Sequence, residues 1–211
     1  MFKSPFFLCL LLSISLIIFG ETINIIFGID ALQYNSMSEK LSSQQLNHFF
    51  EFQNKWMWVS YLFIPLYIAI KTCVIAVILY IGTYFFSHEE LMYKSLWSIV
   101  IKAEFVFLLV FIGKFIWFYF FKTSYTLEDI QFFYPLSALN IIGYKGLEPW
   151  YIYPFQALNL FELAYWLILA YFIGKETNTN MDNGLKIVTY SYGPALLLWV
   201  STVMFLTLNY S

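Results

Sequence analysis

Arginine is missing from this sequence: all 11 basic residues are lysine. Arginine is the side chain best suited to planar, bidentate phosphate recognition, so its absence argues against a dedicated phosphate or nucleic-acid site. Charge of either sign is scarce, at 11% of residues against about 25% in a soluble domain. Cysteine and histidine number two each. Cys9 and Cys73 fall in apolar runs with no CxxC or Cys/His spacing, which leaves a zinc or disulfide scaffold unsupported. They read as small buried hydrophobes. His88-Glu89-Glu90-Leu91-Met92 lacks the second histidine of a zincin motif. No nucleophile elbow, dinucleotide fingerprint or P-loop is present. The aspartates Asp30, Asp129 and Asp182 all fall in loops, whereas an intramembrane aspartyl protease needs two within helices. No catalytic residue, metal site or cofactor is therefore expected, and no nucleic-acid partner.

What the sequence does contain is apolar surface. Hydrophobic residues make up 61% and aromatic residues 23%, and mean hydropathy is +0.70, where a soluble domain is about 45–50% apolar. A membrane-spanning helix needs about 20 mostly apolar residues. Five stretches qualify: Pro5–Phe27, Met57–Phe86, Ser95–Phe121, Phe155–Gly174 and Leu185–Leu208. Irregular backbone and open sheet edges cannot face lipid, so the expected fold is all-α: a polytopic bundle of five transmembrane helices. Pro65 is a candidate kink in the second, and Ser191-Tyr192-Gly193-Pro194 a candidate break in the fifth. The first stretch follows Lys3 and has no small-x-small cleavage site, so it reads as a retained signal-anchor. Residues 1–56 then form an anchor helix plus loop, and 57–211 a four-helix region, within one membrane domain.

The two longer loops carry helix signals. In Ile29–Trp56, Ser36-Met37-Ser38-Glu39 matches a capping box. After it Leu41, Leu46, Phe49, Phe50, Phe52 and Trp56 form an apolar face, as in a short helix lying on a membrane surface. In Lys122–Pro154, Thr126-Leu127-Glu128-Asp129 is a second helix start, followed by a run broken by Gly143, Gly146, Pro149 and Pro154. Trp56, Trp58, Trp150, Tyr151 and Tyr153 fit an interfacial aromatic belt. Orientation by loop lysines ties, with Lys3, Lys94, Lys175 and Lys186 on one side and Lys40, Lys55, Lys122 and Lys145 on the other. Lys3 before a signal-like helix places the N-terminus in the cytoplasm and the C-terminus outside.

The most informative residues are the charges inside these helices, since each costs roughly 2.5–3.5 kcal/mol near the bilayer centre. They are Glu21, Lys71, Lys102, Glu104, Lys114 and Glu162, three of each sign. At about 1.5 Å per residue, Lys71 and Glu104 lie at similar depth, as do Lys114 and Glu162, which makes two candidate pairs. Lys102 lies closer to a surface, where it can snorkel. Asn159, Glu162 and Trp166 share one face of the fourth helix, and Lys186, Tyr190 and Pro194 one face of the fifth. The candidate polar network is thus Lys71, Glu104, Lys114, Asn159 and Glu162, with Glu21, Lys102, Lys186 and Tyr190 as weaker members.

From the second helix onward the chain resembles the YIP (Ypt-interacting-protein-like) family, bacterial type. The likeness rests on Ser137-Ala138-Leu139-Asn140, Gly143, Pro149-Trp150, Ala157-Leu158-Asn159-Leu160-Phe161, Tyr165-Trp166-Leu167-Ile168-Leu169-Ala170, Gly174 and Leu185–Ser191. The resemblance implies a five-helix protein of the bacterial inner membrane without an assigned reaction. Only Met1–Ser4 precede the first helix, so the GTPase binding of eukaryotic relatives is not carried over. The expected function is a non-enzymatic scaffold, membrane organiser or subunit of a larger complex, with the bilayer and a protein partner or second copy as its contacts. The alternative is a permease-type subunit or small transporter using intramembrane Glu and Lys.

Overall fold

The computed structural model describes residues 4–38, 41–87 and 91–210. Lys3, Lys40, Glu39 of the first capping box and the His88-Glu89-Glu90 segment lie outside them. The described residues form helices and no named strand. Three helices are long and apolar enough to cross a membrane: α1 (Pro5–Phe27), α3 (Ser43–Phe86) and α10 (Met181–Tyr210). Between α1 and α3 lies α2 (Ile29–Ser38). Residues 93–121 follow one helical path, α4 (Tyr93–Glu104), a 3₁₀ turn (Phe105–Phe107), α5 (Leu108–Ile116) and a π turn (Trp117–Phe121). Short helices α6 (Leu127–Phe132), α7 (Ala138–Ile142) and α8 (Pro149–Ala157) lead to α9 (Leu160–Glu176).

Local chemistry sets these ends. Pro5 sits in the first turn of α1, where its missing N–H is no loss, and Gly28 ends the helix in the left-handed region at φ 60°. α3 begins at Ser42, whose Oγ accepts from the Gln45 amide while the Gln45 side chain accepts from the Ser42 amide. This corrects the Ser36–Glu39 expectation. Ser36 lies inside α2 and donates to the Gln33 carbonyl. The helix after the loop is not a separate surface piece either. It runs unbroken through Trp56 and Pro65 to Phe86, 44 residues in all, or about 66 Å at ~1.5 Å per residue. A second correction concerns the fourth stretch. Phe155 belongs to α8, and the chain breaks at Leu158 before Asn159 caps α9. The break expected at Gly193-Pro194 is also absent, since α10 continues through it. Gly193 faces the Trp166 ring, and a methyl group there would lie 3.2 Å from that ring.

α1 packs on α3, α4 and α5, while α10 packs on α3, α8 and α9, with α4 against α9. Leu12, Leu79, Leu96, Ile101, Leu169, Ile173 and Val188 form the main apolar core. A second, aromatic cluster joins Phe27 and Phe118 to Phe115, Tyr125 and Phe133. Outward faces stay apolar, as at Trp58, Leu62, Phe63 and Ile70 on α3 and Leu197, Leu198 and Phe205 on α10. Side chains such as Leu62 and Leu197 lose nothing when lipid replaces water around them. In that setting polar contacts and close packing, rather than apolar burial alone, hold helices together.

Candidate functional site: a polar cavity in the helical bundle

The backbone is interrupted where polar groups gather. The 3₁₀ turn follows directly on Glu104, and a mid-helix 3₁₀ stretch often marks a functional or strained position. Glu104 is buried and bonds Lys71 Nζ of α3 through Oε2 at 2.8 Å. The Lys71 ammonium also sits 5.0 Å above the Phe107 ring of the 3₁₀ turn. Behind the pair, Glu104 Oε1 and the Tyr165 hydroxyl are buried and make no hydrogen bond among the described residues.

Lys71 opens onto a cavity of about 600 Å³ whose wall also includes Lys114, Asn159 and Glu162. Four of the five residues of the predicted network therefore share one space, and the fifth, Glu104, is bonded to Lys71 outside the lining. Of the two expected pairs, Lys71–Glu104 forms. Lys114 and Glu162 form no ion pair, which corrects the second predicted pair. Lys114 Nζ donates to the Ile130 carbonyl at 3.2 Å. Glu162 Oε1 accepts from the Tyr192 hydroxyl at 2.9 Å and from Trp166 Nε1 at 3.0 Å. Asn159 holds the start of α9, its Oδ1 accepting from the Glu162 amide at 2.8 Å.

The outer weaker members stand apart. Glu21 accepts from the Tyr61 hydroxyl at 3.0 Å, tying α1 to α3. Lys102 is exposed and lies 5.7 Å from the Phe172 ring centre. Lys186 and Tyr190 face outward, and Tyr190 stacks on Phe86. The residue that α10 does send to α9 is Tyr192. It belongs to the buried stripe Gly184, Ile187, Val188, Tyr192, whose three- and four-residue spacing was the available signal.

α6 and the loop after it supply more of the wall through Gln131 and Tyr134, and α8 supplies Tyr153 and Gln156. The loop's approach has a definite cause. Pro135 rests on Gly113, where any side chain would press within 3.0 Å of the ring. Ser137 and Asn159 then form an antiparallel bridge, with Ala138 N donating to Leu158 O at 2.8 Å and Leu160 N to Leu136 O at 3.1 Å. Leu136, at φ 56°, is held in a conformation that costs a branched residue about 1–3 kcal/mol.

α6 is anchored outside the cavity. Thr126 and Asp129 form the expected capping box, and Asp129 also bonds Lys122 at 2.6 Å and the Tyr144 hydroxyl at 2.9 Å. Burial alone would raise the Asp129 carboxyl. The bonds from Lys122, the Thr126 amide and Tyr144 outweigh it and hold the group below the usual carboxylate range. A depressed folded-state pKa contributes stability that is fully present above the unfolded value, about 4. That contribution is lost as pH falls toward the folded value. Hydrogen-exchange protection of residues 122–144, corrected for intrinsic rates, is expected to hold from pH 7 to 5 and decline progressively below about 4. Asp129→Asn should flatten this decline and lower protection already at pH 7. Equal acid sensitivity in the variant would show that Asp129 is not its source.

Comparison of the chain with protein-family models, curated proteins and solved structures returned no match, so the chemistry of the cavity carries the functional reading.

Proposed function

We propose that this chain is a five-span integral membrane protein with no reaction of its own, and that its cavity holds a small polar solute, as a permease-type subunit requires. One observation carries the reading. Lys114 faces a cavity of about 600 Å³ with only a backbone carbonyl for a partner among the described residues, and Glu162 lines the same space unpaired to it. Charges kept only to fix helix register would neutralise each other, because an isolated charge in the bilayer is costly.

The two further spans in this proposal are residues 93–121 and α9. The first is about 43 Å long at ~1.5 Å per residue. α9 has 17 residues and an outward row of Leu160, Leu163, Leu167 and Tyr171. It is slightly short for a ~30 Å hydrocarbon core, a mismatch met by local thinning or snorkelling ends. We place the protein in the bacterial inner membrane with its N-terminus cytoplasmic and C-terminus outside, and keep the YIP-type relationship as part of the same proposal.

A second reading, a scaffold or subunit of a larger complex, is favoured by Lys71–Glu104. That pair bridges α3 and α4, is neutral as it stands and calls for no ligand. Cysteine labelling separates the two. With Cys9 and Cys73 replaced by Ala, Lys114→Cys and Glu162→Cys in native membranes are expected to react with a water-soluble cationic methanethiosulfonate. Leu169→Cys, which is fully buried, is not. Cavity cysteines as inert as Leu169→Cys would mean a sealed, structural interior and leave the scaffold reading in place.

A further inference from the structure

The charges around the cavity define what would fit it. Lys71 is answered by Glu104 at 2.8 Å, so this pair adds no net charge. What remains is one cation and one anion that do not touch. An ammonium has three N–H donors. Lys114 places one on the Ile130 carbonyl, and the others meet no acceptor among the described residues. Glu162 directs Oε1 at Tyr192 and Trp166, and Oε2 has no bond among the described residues. The Tyr153 hydroxyl accepts from Trp199 Nε1 at 2.8 Å, which leaves its own proton to donate.

A ligand of one sign would answer one of these groups and leave the other bare, and it would add net charge to a low-dielectric space. A ligand with separated charges of both signs answers both and adds none. The cavity volume lies within the roughly 300–1,000 Å³ typical of ligand sites, with the Phe107 and Phe111 rings as apolar walls.

We propose that the cavity binds a small zwitterion, with its carboxylate or phosphate on Lys114 and its ammonium on Glu162. The proposal rests on the solute-binding reading above and specifies the solute. Such a molecule has two sources, a free zwitterionic solute or the headgroup of a zwitterionic lipid.

The test uses the full chain purified in detergent, titrated with glycerophosphoethanolamine, a net-neutral phosphodiester, and γ-aminobutyrate. Ethanolamine and inorganic phosphate serve as the half-ligands. Nanodiscs of phosphatidylethanolamine or phosphatidylglycerol address the lipid source by native mass spectrometry. The expected result is saturable binding of a free zwitterion, or selective retention of phosphatidylethanolamine. Each half-ligand should bind about tenfold or more weakly than the zwitterion, and Lys114→Gln and Glu162→Gln should each lose about as much. A half-ligand that binds as tightly as the zwitterion would overturn the proposal while leaving a solute cavity standing. The absence of both zwitterion binding and lipid preference would overturn it as well. So would unchanged affinity in both variants. If a variant fails to accumulate, the half-ligand comparison on the unsubstituted protein still decides.

Discussion

Glu104→Ala should lower the stability of the protein by about 3 kcal/mol. Removing one partner of a buried ion pair typically costs about 3–5 kcal/mol, because the other charge is left uncompensated. The lower end applies here. Lys71 keeps 37% of its side-chain surface accessible, it faces the cavity, and the Phe107 ring 5.0 Å away gives it a second, weaker partner. For a chain of this length about 1 kcal/mol shifts the melting temperature by roughly 2–4 °C. Glu104→Ala in detergent should therefore melt some 6–12 °C early, by the same scaling. The double variant Lys71→Met, Glu104→Met should recover most of the loss, since well-packed apolar replacements of a buried pair are often neutral or better. If the double variant melts as early as Glu104→Ala, the loss comes from packing around residue 104 and not from a stranded ammonium. If Glu104→Ala melts with the unsubstituted protein, the pair contributes nothing to stability.

That pair was legible in the sequence, and the reason it was bears on what was not. Depth along a membrane helix follows from counting residues, and Lys71 and Glu104 were at matching depths on helices that pack together. Lys114 and Glu162 also matched in depth. Counting residues says nothing about direction around the axis, and it cannot see that a carbonyl of α6, Ile130 O, reaches Lys114 first. Helix ends were read well at Pro5, Phe27 and Thr126. The Ser36–Glu39 motif misled because a second capping-box pattern, Ser42 with Gln45, stood six residues on and is the one that caps α3. Ser36 lies instead in the last turns of α2. The continuity of α3 across Trp56 was hidden because the aromatic residues there read as a membrane-surface stripe. Tyr134, Gln131 and Gln156 carried no local signal at all. They reach the cavity because Pro135 docks on Gly113 and the Ser137–Asn159 bridge pins the loop, and both contacts are long-range.

The closest helix contact gives the second large effect. α9 and α10 form a hairpin closed by Thr177, which donates to the Ile173 carbonyl at 2.9 Å, and by Asn180, which accepts from the Asn183 amide at 3.0 Å. Ala170 and Gly174, four apart on α9, form the kind of small-residue face that lets membrane helices approach backbone to backbone. Gly184 of α10 lies against it, so a methyl group there would overlap the Ala170 carbonyl oxygen. The obstacle is main chain, which has no rotamer to change, so the helices themselves would have to separate. Overpacking usually costs about 1–3 kcal/mol, and Gly184→Val should fall at the upper end. Gly184→Ala should cost less, since the better helix propensity of alanine returns up to about 1 kcal/mol. Gly20→Ala is the control: it makes the same change on a helix with nothing within 4 Å of the added methyl, and it should melt no earlier than the unsubstituted protein. Separation of α9 from α10 also draws Tyr192 away from Glu162, so Gly184→Val should impair zwitterion binding along with stability. A Gly184→Val protein that melts with the Gly20→Ala control would mean that the two helices do not approach as closely as the Ala170–Gly184 contact requires.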